Sequence, residues 1–185
     1  RGKRLGAVSG AGFEAVGMAD SLQSDEYSMS LGTYSETTRL AMKRLIASKG
    51  LEKLVPIKNP LDINPGADDE VHAYMAELLL NDVVIGLDPL SPVTHSLAET
   101  DIDAFRMDAP DGILTLLSDV RSRTSKPMVA VMDGGEKFEP LRKALRERGI
   151  PVFPVCDRAV AALSLYLESR LAAEGLKHAS YCLLR

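Results

Sequence analysis

The chain has 185 residues, 45% hydrophobic and 26% charged, which is the globular range of composition and not the disordered one. Lys and Arg number 22 against 26 Asp and Glu, so the net charge is -4 and no global field for nucleic acid exists. Two cysteines, Cys156 and Cys182, exclude a disulfide framework and a cysteine-only zinc site, and 5% aromatics without Trp disfavour base-stacking or sugar-binding platforms.

In chain order, strands alternate with helices. Arg4 to Val8 reads as a buried strand closed by Ser9-Gly10-Ala11-Gly12. A helix over 13–23 follows, expected to bury Phe13, Val16 and Leu22. Tyr27 to Leu31 is a weak second strand. Ser35 is an N-cap for a helix that buries Leu40, Ala41, Leu45 and Ile46 and stops at Gly50. The stretch Lys58-Asn59-Pro60-Leu61-Asp62-Ile63-Asn64-Pro65-Gly66 holds two Asn-Pro pairs and is expected to carry no regular structure. Asp68 or Asp69 caps a helix with Val71, Tyr74, Leu78 and Leu79 inward and His72 toward solvent. Val83 to Leu87 is an apolar strand, followed by an acidic loop from Asp88 to Asp111.

A helix with Ile113, Leu116, Leu117 and Val120 comes next, then a strand from Pro127 to Met132 ending at Asp133-Gly134-Gly135. A helix with Phe138, Leu141 and Leu145 stops at Gly149. Pro151 to Val155 is the last strand. Asp157 then caps a helix striped by Val160, Leu163, Leu167 and Leu171. Strands that are continuously apolar are buried on both faces, which means a parallel sheet between two helix layers. The expected fold is therefore α/β, a three-layer, doubly wound, five-stranded flavodoxin-like sheet of order 2-1-3-4-5. Residues 1–173 form the domain and 174–185 a C-terminal tail or linker. A start at Arg1 suggests a piece of a longer protein. No apolar run approaches the ~18 residues of a membrane span, and no signal-peptide pattern opens the chain, so a cytoplasmic protein is expected.

Ligands of such sheets lie at the carboxyl ends of the strands. Three segments converge there: Ser9 to Glu14, Asp88 to Thr94 and Asp133 to Glu136. In Ser9-Gly10-Ala11-Gly12-Phe13-Glu14 the glycines allow a tight strand-to-helix turn, and the free amides and helix dipole favour a phosphate-like anion. Gly17 falls too late for a dinucleotide fingerprint, and no Gly-Lys-Ser/Thr follows for a Walker loop. Glu14 in the first turn either competes with an anion or orients a cationic partner such as an imidazolium. Gly134 and Gly135 repeat the logic at the fourth strand, against the plain alternative of a tight turn. Asn59 and Asp62 are further candidates, against local turn bonding by their side chains.

His72, His95 and His178 are too scattered for a metal site, and none is assigned. Asp101 and Asp103 read as part of a solvated acidic run rather than a magnesium site. Cys156 has no base beside it and reads as buried and inert. Ser9 lacks the Gly-x-Ser-x-Gly elbow of a nucleophile, so no catalytic residue is assigned.

Four ordered segments carry a resemblance. They are Arg4-Leu5-Gly6-Ala7-Val8-Ser9-Gly10-Ala11-Gly12, Lys58-Asn59-Pro60-Leu61-Asp62, Lys126 through Gly135, and Arg148-Gly149-Ile150-Pro151-Val152-Phe153 with Asp157 through Leu163. Together they resemble the nucleoside-diphosphate-forming acyl-CoA synthetases, relatives of succinyl-CoA synthetase, and in particular their second flavodoxin-like CoA-ligase domain. The resemblance spans residues 3–170. It implies a parent acid-thiol ligase that couples thioester cleavage to phosphorylation of a histidine and then of a nucleoside diphosphate. The partners it implies are a CoA-binding domain, a histidine-bearing flavodoxin-like domain and an ATP-grasp portion. CoA, ATP or ADP, and Mg belong to that full enzyme, and no cofactor is expected in this domain.

The fourth strand here runs into Asp133-Gly134-Gly135, and no histidine lies between His95 and His178, so the resemblance makes this the domain without the nucleophile. It then carries to Gly10, Ala11 and Gly12 the role of a helix N-terminus facing a phosphohistidine. Two features depart from the family: Gly10-Ala11-Gly12 replaces adjacent glycines, and the loop after Leu87 is longer and more acidic. The alternative is a non-catalytic regulatory phosphate- or nucleotide-binding module of an inactive paralogue. A phosphorelay receiver shares the fold class but needs paired acids where Ser9-Gly10 stands.

Overall fold

The computed structural model describes residues 3–64, 66–82, 107 and 109–183, without the side chains of 177–183. An extended stretch opens it and pairs in parallel twice. Its first part, β1 (Arg4–Leu5), sets Arg4 opposite Ser30. Its second part, β2 (Val8–Ser9), sets Val8 opposite Leu61. The partners are β3 (Ser30–Leu31) and β4 (Leu61–Asp62). A third parallel pair joins β5 (Ala130–Val131) to β6 (Val152–Phe153), with Ala130 opposite Val152. Four of the five expected strand segments thus contain a paired strand. The fifth, Val83 to Leu87, lies outside the described residues, as do His95, Asp101, Asp103 and the acidic loop up to 106.

Six helices are described: α1 (Gly12–Asp20), α2 (Glu36–Ser48), α3 (Asp69–Asn81), α4 (Ile113–Ser122), α5 (Glu139–Glu147) and α6 (Cys156–Leu183). They cover both faces of the strands. Along 128–132, Met128, Ala130 and Met132 enter a large core with Met42 and Ile46 of α2, Met75 and Leu79 of α3, Leu117 of α4 and Leu145 of α5. The intervening Val129 and Val131 enter a smaller core with Leu5, Met29 and the α6 residues Ala159, Val160, Leu163 and Leu167. This period-two division is what a strand between two helix layers produces. The result is an α/β architecture with helices on each side of parallel strand pairs.

Local signals set several boundaries. Ser35 caps α2 by accepting from the Thr38 amide at 3.2 Å, and Asp68 caps α3 by accepting from Val71 at 2.8 Å. Gly50 (φ 69°) and Gly149 (φ 76°) end α2 and α5 in the left-handed region. α6 begins at Cys156, so Asp157 lies inside its first turn rather than before it. The helix runs 28 residues and takes in 174–183. Among the described residues no helix is long and apolar enough to cross a membrane.

The inward faces of three helices differ from expectation. In α1, Phe13 and Val16 are 65% and 59% exposed, and Glu14, Ala15 and Met18 are buried instead. Glu14 is drawn in by a bond to Ser9, and Met18 fills the space beside Leu5, Val129 and Val131. In α2, Thr38, Met42 and Ile46 form the buried row, which turns Leu40 outward. In α3, Tyr74 is half-exposed and His72 is 2% exposed, so the histidine lies in the core and not toward solvent.

The Asn-Pro stretch is also corrected, because it contains β4. Leu61 donates to the Ala7 carbonyl at 2.8 Å and Ile63 to that of Ser9 at 2.9 Å. Asn59 ties the entry to this strand: its Nδ2 donates to the carbonyls of Leu5 and Gly32, each at 2.8 Å, and its Oδ1 accepts from the Ala7 amide at 3.2 Å. The Tyr34 hydroxyl donates to the Lys58 carbonyl at 3.0 Å. One amide side chain therefore bonds to the backbones flanking β1 and β3 just ahead of β4. Two short pairings become one junction. A turn side chain that bonds only to itself could not do this.

Candidate functional site

The site is assembled from the carboxyl ends of three strands. β2 ends in Ser9 and passes through Gly10 and Ala11 into α1. β4 ends in Asp62. The segment carrying β5 ends in Asp133, and Gly134 and Gly135 follow. Asp62 and Asp133 both act electrostatically on Glu14, which brings the three exits to one place.

At the first exit α1 starts with Ala11 in the N-cap position and no side chain capping it. Ser9, fully buried, stands between the turn and the helix. Its Oγ accepts from the Ala11 amide at 3.0 Å and donates to the Glu14 carboxyl through Oε2. Glu14 is the third residue of α1. A glutamate there ordinarily reaches back to the N-cap amide, and here Ser9 relays that contact. The Glu14 amide is held by the Ala11 carbonyl at 3.1 Å. The Ala11 and Glu14 amides are thus engaged, which leaves Gly12 and Phe13 as the opening amides of an uncapped helix.

Burial shapes the electrostatics. Glu14 is 2% exposed, and burial pushes its carboxyl up to about 7, with Asp133 and Asp62 adding to the rise and the Ser9 bond opposing it. Glu14 Oε1 is buried with no hydrogen-bond partner among the described residues. Asp62 Oδ1 accepts from the Asn64 amide at 2.9 Å, and a Cβ placed on Gly12 would come within 3.2 Å of its Oδ2. Gly12 thus allows the opening turn to lie against Asp62. From α6, Cys156 Sγ lies 3.7 Å from the Glu14 carbonyl. Cys156 is partly buried against the smaller core.

The sequence candidates fall into three groups. Ser9, Ala11, Gly12, Glu14 and Asp62 come together at one turn, with Phe13 exposed beside them. Gly10 lies in that turn. Asn59 works at the strand junction. Gly134 and Gly135 face another residue, Arg142 of α5, which is not among the sequence candidates. Arg142 is 9% exposed; its guanidinium donates to the Met132 carbonyl at 3.1 and 3.2 Å, to that of Gly135 at 3.3 Å, and to that of Gly134. Gly134 must lack a side chain, because a Cβ there would run into the Phe138 ring. The available signal was an arginine on the apolar stripe of Phe138, Leu141 and Leu145, where burial demands a partner. Among the described residues no three His, Cys, Asp or Glu side chains are placed to share a metal ion.

The fold, rather than the site, has counterparts among known proteins. No family model and no curated relative matches the chain. Solved structures do. It is similar to the dinucleotide-forming acetyl-coenzyme A synthetase 1 of Ca. Korarchaeum cryptofilum, at 22% identity and TM-score 0.71 for the apo form. The form in complex with phosphate and ADP gives 21% and 0.71. The apo comparison covers 96% of this chain and 36% of that one, and the complex 96% and 35%. The protein PH0766 of Pyrococcus horikoshii OT3 matches at 25% identity and TM-score 0.65, covering 89% of this chain and 35% of that one. The chain therefore has the fold of a portion of these proteins and spans about a third of their length. The resemblance carried by the four sequence segments and this likeness of fold agree.

Proposed function

We propose that the chain is a CoA-ligase domain of an NDP-forming acyl-CoA synthetase, in which α1 docks a phosphohistidine presented by another domain. The observation that carries this reading is the uncapped opening of α1 at the strand exits, in a chain whose fold is similar to part of an acetyl-coenzyme A synthetase. The Gly12 and Phe13 amides and the positive end of the helix supply hydrogen bonds and partial charge to a phosphoryl group. The exposed Phe13 and Val16 give the same helix an apolar surface for the presenting domain. The finer form of the fold, a flavodoxin-like sheet of order 2-1-3-4-5, belongs to this proposal, with β4 as an added neighbour of the first strand. So do the partner domains for CoA, nucleotide and histidine, and a cytoplasmic setting.

This domain contributes docking and no covalent step. The 185-residue chain, incubated with acyl-CoA, ADP, Mg and radiolabelled phosphate, is expected to form no ATP and to take up no label. Calorimetry should give phosphate binding in the millimolar range, about -4 kcal/mol, as fits a site completed by a partner. Label on this chain would overturn the reading. Binding of ADP or CoA tighter than about 10 μM would favour a self-contained module instead.

A further inference from the structure

We infer that the opening turn of α1 takes up a tetrahedral anion and a proton together, the proton settling on Glu14. The inference rests on the docking reading and names what regulates it. Two independent features meet at the turn. One is the helix start without a side-chain cap. The other is Glu14, whose Oε1 is buried with no partner among the described residues while Oε2 is bonded to Ser9.

Among the described residues, the charged groups that act on Glu14 are acidic: Asp62 at the end of β4 and Asp133 beyond β5. From α6 the neighbour is the Cys156 thiol, on the Glu14 carbonyl. No cationic side chain is among the groups acting on Glu14 in the described residues. A dianion arriving at Gly12 and Phe13 meets this carboxyl one helical turn or less away. If Glu14 is ionised, its buried carboxylate and the anion repel each other. If it is protonated, the repulsion vanishes and its O–H can donate. Burial already holds the carboxyl near 7, so one proton from solvent suffices and little free energy is needed to bring it. By linkage, an anion that prefers the protonated form must raise the proton affinity of Glu14, and protonation must raise the affinity for the anion.

The probe is sulfate, a tetrahedral dianion whose charge does not change between pH 5 and 8, with chloride at equal ionic strength as the control. Carbon-detected NMR of the Glu14 carboxyl in the intact chain is expected to show its midpoint rising by about one pH unit in sulfate. The α1 amide shifts should report sulfate binding that tightens about five- to tenfold from pH 8 to pH 6. In Glu14→Gln that dependence should flatten, with affinity near the low-pH value of the parent. Sulfate that shifts the α1 amides with no change in the Glu14 midpoint would overturn the proton coupling and leave docking standing. No amide response at any pH, in either protein, would overturn the docking reading and this inference with it.

Discussion

Replacing Arg142 with alanine is expected to destabilise the domain by about 3 kcal/mol, enough to lower the melting temperature by on the order of 10 °C. Arg142 is 9% exposed, and its guanidinium bonds to the carbonyls of Met132, Gly134 and Gly135, which form the exit from β5. Deleting it strands the Met132 carbonyl in a buried place, while the half-buried Gly134 and exposed Gly135 turn to water, and an unsatisfied buried acceptor costs more than a hydrogen bond gains. The ion pair to Glu139, at 3.0 Å, adds little because that carboxylate is mostly exposed. Arg142→Lys should recover less than half of the loss, since a single ammonium cannot span three carbonyls. Urea denaturation of the three proteins checks this, and a loss below about 1 kcal/mol for alanine would contradict it.

The second large effect concerns His72 and acid. Burial lowers its pKa to about 4, from an ordinary value of 6.5, with Asp68 opposing the fall. Neither ring nitrogen has a partner among the described residues. The unfolded chain therefore binds a proton at this site between pH 6.5 and 4 that the folded chain refuses. Stability is lost as pH falls through that window, by about 3 kcal/mol in all. Glu14 has the opposite sign. Its folded pKa is raised, so its contribution is complete below 4.5 and is lost as pH rises toward 7. Between 4.5 and 6.5 the two slopes offset each other. His72→Leu is expected to be about 1–2 kcal/mol more stable at pH 7, because an unpaired polar ring leaves the core. It should also gain stability on acidification from 7 to 4.5, with the Glu14 slope unmasked. Chemical denaturation at half-unit pH steps reads both effects. A histidine variant with the parent's pH profile would refute the assignment.

What could be read from the sequence was what is decided locally. Ser35 and Asp68 cap their helices through contacts three residues away, and Gly50 and Gly149 stop theirs by a backbone conformation. The strand-exit turns at Ser9 to Glu14 and at Asp133 to Gly135 were visible because glycines and strand ends are sequence signals. The face each helix buries was less legible. A rotation of one residue separates Phe13 inward from Glu14 inward, and it is decided by Ser9 and by the α6 side of the core, which α1 meets only in three dimensions. Apolarity alone predicts that Phe13 is buried and His72 is not, and both are reversed here. Asn59 shows the same limit. Its partners Leu5 and Gly32 lie 54 and 27 residues away, so an Asn-Pro pair that reads as a chain breaker is the junction from which β4 departs.

The account depends on the amides that open α1. Amide NMR of the chain titrated with inorganic phosphate to about 50 mM at neutral pH tests this directly. Saturable shifts confined to Gly10 through Glu14 and the neighbouring Asp62 and Asp133 are the expected result. Phosphate that leaves the Gly12 and Phe13 resonances in place, or that moves another surface instead, would contradict it.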